Sequence, residues 1–406
     1  MSAFESGPLR PSGAVIVITL ALLLGLQPIT TDLYLPALPA LAADLGSPMT
    51  RTQLTLSALM LAFGLAQLLL GPLADRVGRR PVLVGGLVLY AAASAGSATA
   101  ANIDALIGWR VLQGVGMAAA VVCARSMVRD LFEPHDGARV MSKGLTGLGL
   151  IALSSPVIGG LIADAASWRM VFAASGSFAA VTLAVILARL PETLRTPNPK
   201  ALQPGPMLHT WRRIARHPTF RAWALLVACT YGGLFAYLAG SAFVYIEVLG
   251  LSRGAYGLVL GSGSVAYVCG TVWCRRWLLR YGLAGAVRRG AVFTLAGGLL
   301  MAGLALAGVH NAWAIALPQL VYAFGHGIHQ PCGQAAVSGP FPAHAGAAAA
   351  LGGFALAIVA FAVGGWLGVS MNGTVYPVTL TIGAFSILTA LVAWTLVQRH
   401  GEPAVA

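Results

Sequence analysis

Two ionisable side chains stand in stretches that are otherwise apolar. Asp32 lies in Thr30-Thr31-Asp32-Leu33-Tyr34-Leu35-Pro36 and is the one carboxylate well inside such a stretch. Burial away from water disfavours a charged carboxylate. The group therefore suits taking up and releasing protons as its access to water changes sides, whereas a place at the wet end of its helix would leave it an ordinary polar residue. Arg110 opens Arg110-Val111-Leu112-Gln113-Gly114-Val115-Gly116. A guanidinium in an apolar helix costs several kcal/mol unless it faces a cavity or a partner, or snorkels to an interface. Arg110, Gln113 and Met117 share one face at helical spacing.

Membrane helices must position these groups. Of 406 residues, 58% are hydrophobic and 9% charged, with a mean hydropathy of +0.81. A soluble domain carries about a quarter charged residues, and a bilayer span needs about 20 apolar ones. The chain divides into spans at 14–36, 52–73, 81–100, 105–127, 142–164 and 169–189, then 222–246, 254–275, 289–308, 313–335, 346–368 and 375–397. Ala40-Leu41-Ala42 imitates a signal cleavage site, but the preceding run is longer than a signal core and holds Asp32, so it reads as an uncleaved span. Between the sixes, 191–221 is rich in proline and basic residues and reads as a cytoplasmic linker. An all-α membrane protein of two pseudo-symmetric halves, 1–190 and 222–406, follows, related by an axis along the membrane normal. A weak repeat supports it, with Gln113-Gly114-Val115-Gly116 falling where Phe324-Gly325-His326-Gly327 falls. Small residues such as Gly114 with Ala118, and Gly257 with Gly261, let helices approach closely.

The net charge of +13 gathers between alternate spans, at Arg76, Arg79 and Arg80, at Arg129, Arg139 and Lys143, from Arg195 to Arg221, and from Arg275 to Arg289. The other connections hold single arginines, Arg51, Arg169 and Arg253. This bias places both termini in the cytoplasm. Nucleic acid would need a solvated basic face instead and is no expected partner. The five cysteines show no spacing that suits zinc or a disulfide framework, so no metal is expected.

The loop after the second span reads Gly71-Pro72-Leu73-Ala74-Asp75-Arg76-Val77-Gly78-Arg79-Arg80-Pro81. Gly78 permits a tight turn, Asp75 is placed to pair with arginines, and the arginines fix the loop inside. This order of Gly, Asp and Arg resembles the signature of the major facilitator superfamily, in which the loop latches two six-helix halves on the cytoplasmic side. The resemblance makes Gly71, Asp75, Arg76, Gly78, Arg79 and Arg80 gate residues, with Arg129 and Asp130 beside them. The corresponding Arg275-Arg276-Trp277-Leu278-Leu279-Arg280-Tyr281-Gly282 lacks the acid. Arg110 to Gly116 resembles an element of drug/proton antiporters whose arginine assists proton transfer. Pro156, Gly159 and Gly160 resemble their fifth-span motif, although Ser155 replaces its glycine before proline. The segments around Asp32, Ser241 to Glu247 and Gly325 to Pro331 resemble the branch conferring bicyclomycin and chloramphenicol resistance.

That resemblance implies a proton-coupled exporter of small amphiphilic drugs working by alternating access in a bacterial inner membrane, as a monomer, with protons as coupling ion and no cofactor. Asp32 and Arg110 would handle the proton. Gln27, Tyr34, Gln113, Met117, Tyr231, Phe235, Tyr237, Tyr267, Tyr322 and His326 would supply the substrate cavity, whose walls are apolar with few polar groups. No P-loop sequence occurs, so no ATP is spent there. Uptake of a metabolite by the same fold is the alternative. A hydrolase using Ser262 or Ser264 with His326 is the alternative of another class.

Overall fold

The computed structural model describes residues 13–194 and 196–401; Arg195 and both chain ends lie outside the described residues. Helices α1 (Gly13–Thr31), α2 (Leu38–Asp44), α3 (Met49–Val77), α4 (Arg79–Ala98), α5 (Ile103–Leu131), α6 (Pro134–Ala165) and α7 (Trp168–Arg189) form the first half. After α8 (Pro204–Arg216) come α9 (Pro218–Ala242), α10 (Arg253–Leu306), α11 (Ala312–Ser338), α12 (Ala345–Ser370), α13 (Tyr376–Trp394) and α14 (Leu396–His400).

Ten of the described helical segments are long and apolar enough to cross a bilayer. One of them, α10, runs 54 residues, about 80 Å at 1.5 Å per residue, far beyond the ~30 Å hydrocarbon layer. Gly282 breaks it with φ 65° and ψ −175°, a conformation that glycine adopts without a steric cost, so α10 is two spans. The remaining crossing is α11, in which Gln319, His326, His329 and Gln330 dilute the apolar run. The result is a twelve-span bundle of two halves. Span seven ends in a π-helical turn, Phe243–Val248.

Equivalent asparagines cap the central helix of each half. Asn102 Oδ1 accepts from Ala105 N at 2.8 Å and Asn311 Oδ1 from Ala314 N at 2.9 Å, which satisfies an otherwise orphaned donor at each N-terminus. Gly116 and Gly325 both stand fourteen residues beyond their cap. Both back onto the third span of their half, Gly116 at Gly86 and Gly325 at Gly290. This register differs by two residues from the one the glycine pattern suggests, because the pattern matched two glycines that face different neighbours.

The halves meet where α3 packs on α12 and α6 on α10. Along α6, a methyl at Gly257 would stand 2.6 Å from Pro156 O and one at Gly160 2.6 Å from Arg253 O. These contacts lie on the face opposite the basic loops. There Arg253 Nη1 donates to Ala163 O at 2.8 Å and lies 3.7 Å from Asp164, while Gly254 N donates to Asp164 Oδ2 at 3.0 Å. Towards the basic face, Leu150 of α6 and Val265 and Val268 of α10 are exposed. The linker holds more structure than its prolines suggest. Pro204 and Pro206 start α8 where no amide donor is needed, and Ile214 buries its apolar side while Arg212, Arg213 and Arg216 face out.

Candidate functional site

Asp32 stands in the turn that ends α1, its N–H donating to Pro28 O at 2.8 Å. Pro28 sits inside the helix and Pro36 in the short 3-10 turn beyond, so the helix stops here. The carboxylate is half-buried and accepts the Thr31 hydroxyl at 2.7 Å. No arginine, lysine or histidine lies within ion-pair distance of it among the described residues. The short turn just beyond it, Leu35–Ala37, packs against α9 and α10 of the second half. Behind it, a methyl at Gly159 would collide with the Leu33 carbonyl oxygen.

Arg110 is fully buried, and the partners of its guanidinium all lie in its own half. Its Nε donates to Thr55 O at 3.0 Å, Nη1 to Gln113 Oε1 at 2.7 Å and Nη2 to Thr30 O at 3.1 Å. The Tyr34 ring covers it at 4.6 Å and Phe172 at 5.5 Å, a cation–π arrangement that offsets part of the lost hydration. Gln113 passes the network to Ser94 at 2.7 Å; Tyr90 meets Thr30 at 2.6 Å, and Tyr34 bonds Thr55. The guanidinium thus ties α1 to α3 two residues before Asp32. Thr30, Thr55, Tyr90 and Ser94 gave no signal in the sequence, since two of the contacts are made by backbone carbonyls.

The predicted cavity residues do not all gather. Gln27, Tyr231 and Tyr267 are half-buried, and Tyr267 lies against His326 with ring centroids 5.7 Å apart. Tyr34, Gln113 and Met117 are buried within the first half. Phe235 packs where Ser57 meets Gly364, Tyr237 packs on Tyr245, and Tyr322 donates to Thr230 O at 2.8 Å. Ser262 donates to Val259 O at 2.6 Å and His326 Nδ1 pairs with Thr230 at 3.0 Å. No Ser–His pair forms there. A groove of about 320 Å³ between α3, α4 and α5, lined by Leu70, Leu73, Val82, Leu89 and Val115, is apolar and separate from these residues.

On the basic face, Gly78, with φ 116°, is the single residue joining α3 to α4. Arg79 Nη1 lies 2.5 Å from Asp75 Oδ1, and its Nε donates to Asp130 Oδ2 at 3.0 Å. Glu192, which no motif singled out, accepts from Arg79 N at 2.9 Å and Arg80 N at 3.0 Å. Asn198 N donates to Asp75 O at 2.9 Å. Every one of these bonds stays inside the first half and its linker. Arg76 is exposed, as is Arg129, which reaches Ser126 at 3.1 Å and lies close to Gly346 of α12. Gly71 lies near Val122. Pro156 lies inside α6.

The sequence is similar over 344 residues, at 28% identity, to the multidrug resistance protein D of Escherichia coli, covering 85% of this chain and 86% of that one. Similarity to the bicyclomycin resistance protein homolog of Haemophilus influenzae is 25% over 395 residues, 96% and 98% of the two chains. A chloramphenicol resistance protein of Pseudomonas aeruginosa is 30% identical over 286 residues; this is 70% of the present chain but just under two thirds, 65%, of that protein's length. Among solved structures, a peptide transporter superposes with a TM-score of 0.78 at 15% identity (98% and 96% covered), and a D-xylose-proton symporter with 0.73 at 18% (94% and 97%). At those identities the structures speak for the fold alone. The profile of the Major Facilitator Superfamily matches residues 20–365, and the chain belongs to that family.

Proposed function

We propose that the chain exports small amphiphilic compounds in exchange for protons, by alternating exposure of a site between its halves. One observation carries the reading. Asp32 is half-buried at the boundary between halves, with no cation beside it among the described residues. Such a carboxylate can gain or lose a proton without stranding a fixed positive charge. Arg110 does not neutralise it; it holds the Thr30 carbonyl and so positions the turn. Gly159 lets α6 lie against the same turn, so a change at Asp32 is felt where α6 meets α10.

The basic face is read as cytoplasmic, in a bacterial inner membrane with both termini inside, and the path runs within a single copy. The Asp75–Arg79–Asp130 set with Glu192 then stiffens the first half, while the exposed Arg76 and Arg129, the latter already beside Gly346 of α12, are the gate residues that engage the second. Proton entry supplies about 2.3 kcal/mol per 100 mV of membrane potential. Names such as multidrug, bicyclomycin and chloramphenicol resistance protein among the relatives support drug-like substrates, with Gln27, Tyr231 and Tyr267 at the cavity wall.

The test is export from proteoliposomes under an imposed pH gradient, with compounds chosen by a growth-inhibition panel. Asp32→Asn is expected to abolish gradient-driven export while leaving substrate binding intact. Undiminished export by that variant would move the coupling elsewhere, and accumulation rather than export would reverse the direction.

A further inference from the structure

The central helix of the second half presents unpaired hydrogen-bond acceptors along one stripe. Its neighbours are fixed by its glycines. Gly327 backs onto Tyr267 in the first span of α10, Gly325 onto Gly290 in the second, and Gly333 onto Val227 of α9. At 100° per residue, the sector left between α9 and the first span of α10 carries Gln319, His326 and Gln330, all within about 40° of one another. Gln319 is 2% exposed and its Oε1 has no partner; the buried Oε1 of Gln330 has none either. Gln319 stands eight residues past its cap, as Arg110 does in the first half.

His326 adds a third acceptor. His329 Nε2 lies 3.2 Å from Val287 O, and a carbonyl only accepts, so in the neutral ring Nε2 carries the proton. Nδ1 of His329 must then accept from the Thr230 hydroxyl, 3.4 Å away. With its proton spent, Thr230 Oγ1 accepts at 3.0 Å from His326 Nδ1–H. That leaves His326 Nε2 a bare acceptor beside Tyr267. The two glutamine oxygens are buried without a partner, which is costly and calls for a donor.

We propose that this stripe is the accepting wall of the substrate site and selects uncharged amphiphiles that carry N–H or O–H donors. The proposal rests on the carrier reading with its site between the halves, and not on proton coupling. Where the first half carries the charged Arg110, the second carries the neutral Gln319 at the equivalent position.

Equilibrium binding to the purified full-length protein in detergent tests this. The probes are chloramphenicol, uncharged with two hydroxyls and an amide N–H, and tetraphenylphosphonium, an apolar cation without donors. Gln319→Leu and His326→Phe are each expected to weaken chloramphenicol binding about fivefold, one hydrogen bond's worth, and to leave tetraphenylphosphonium binding unchanged. His326→Gln, which restores an acceptor, should recover most of the loss, and thermal melting identifies any variant that fails to fold. Equal losses for both probes, or none for chloramphenicol, overturn the proposal. So does a wild-type protein that does not distinguish chloramphenicol from its N-methyl, di-O-methyl derivative. Intact discrimination without gradient-driven export would count against proton coupling alone.

Discussion

Helix α4 starts at Arg79 directly after Gly78, so its first N–H groups have no capping side chain from the residue before them. Glu192 supplies the acceptors from the far end of the half, to Arg79 and Arg80 as well as to Thr193 and Leu194 at 2.9 Å each. Partial burial alone would raise its carboxyl, but the four backbone donors outweigh that and hold it below the usual 4.5. A depressed native pKa means stability that is present above the unfolded value and lost as pH falls through the folded one. Glu192→Gln is therefore expected to lower the melting temperature in detergent at neutral pH, by an amount matching a lost cap of about 1 kcal/mol. The difference from wild type should fade as pH drops well below 4.5. A gap that persists at acid pH would assign the loss to shape rather than charge. Asp32 and Arg110 were legible because a charge in an apolar run stands out; Glu192 follows a helix end and leads a proline-rich linker, where an acid is unremarkable.

Between α1 and α6 the spacing is set by glycine. A methyl at Gly159 collides with the backbone of Leu33, which cannot swing aside like a side chain, whereas one at Gly149 meets nothing within 4 Å. Gly159→Ala must push the Asp32 turn away from α6, at a cost of about 1–3 kcal/mol for overpacking; Gly149→Ala is expected to be silent. Export and melting measured on both variants check this, and equal behaviour would remove the close approach from the argument. Which glycines matter was not legible, because 50 of them share the same local signal and only the neighbouring helix separates a seam from open space. The spans themselves were legible from apolar length. The break at Gly282 fell between two predicted spans, as expected of a loop shortened to one residue, while α8 escaped notice because its prolines occupy the first turn, the one place a helix tolerates them.

For the whole molecule, the division into halves followed from the linker's composition, but which face is closed depends on contacts between segments far apart in the chain. Opposite the basic loops, Arg253 of α10 grips the end of α6 through Ala163 O and Asp164, and Gly254 N adds a third bond. The halves are clasped at this face, where Gln53 Nε2 of α3 also donates to Ala239 O of α9 at 2.8 Å. Arg253 is part exposed, so its bond and ion contact together are worth about 1 kcal/mol, enough to change a two-state population roughly fivefold. Spin labels at Ala43 and Asn372, both exposed on the closed face in opposite halves, and at Lys143 and Arg276 on the basic face, report the two ends. In Arg253→Ala the first pair should gain a longer-distance population while the second pair gains a shorter one, because rigid halves that part at one end approach at the other. Lengthening at the closed face with no answering change at the basic face would mean local fraying of α10, and the rocking of rigid halves would have to be given up.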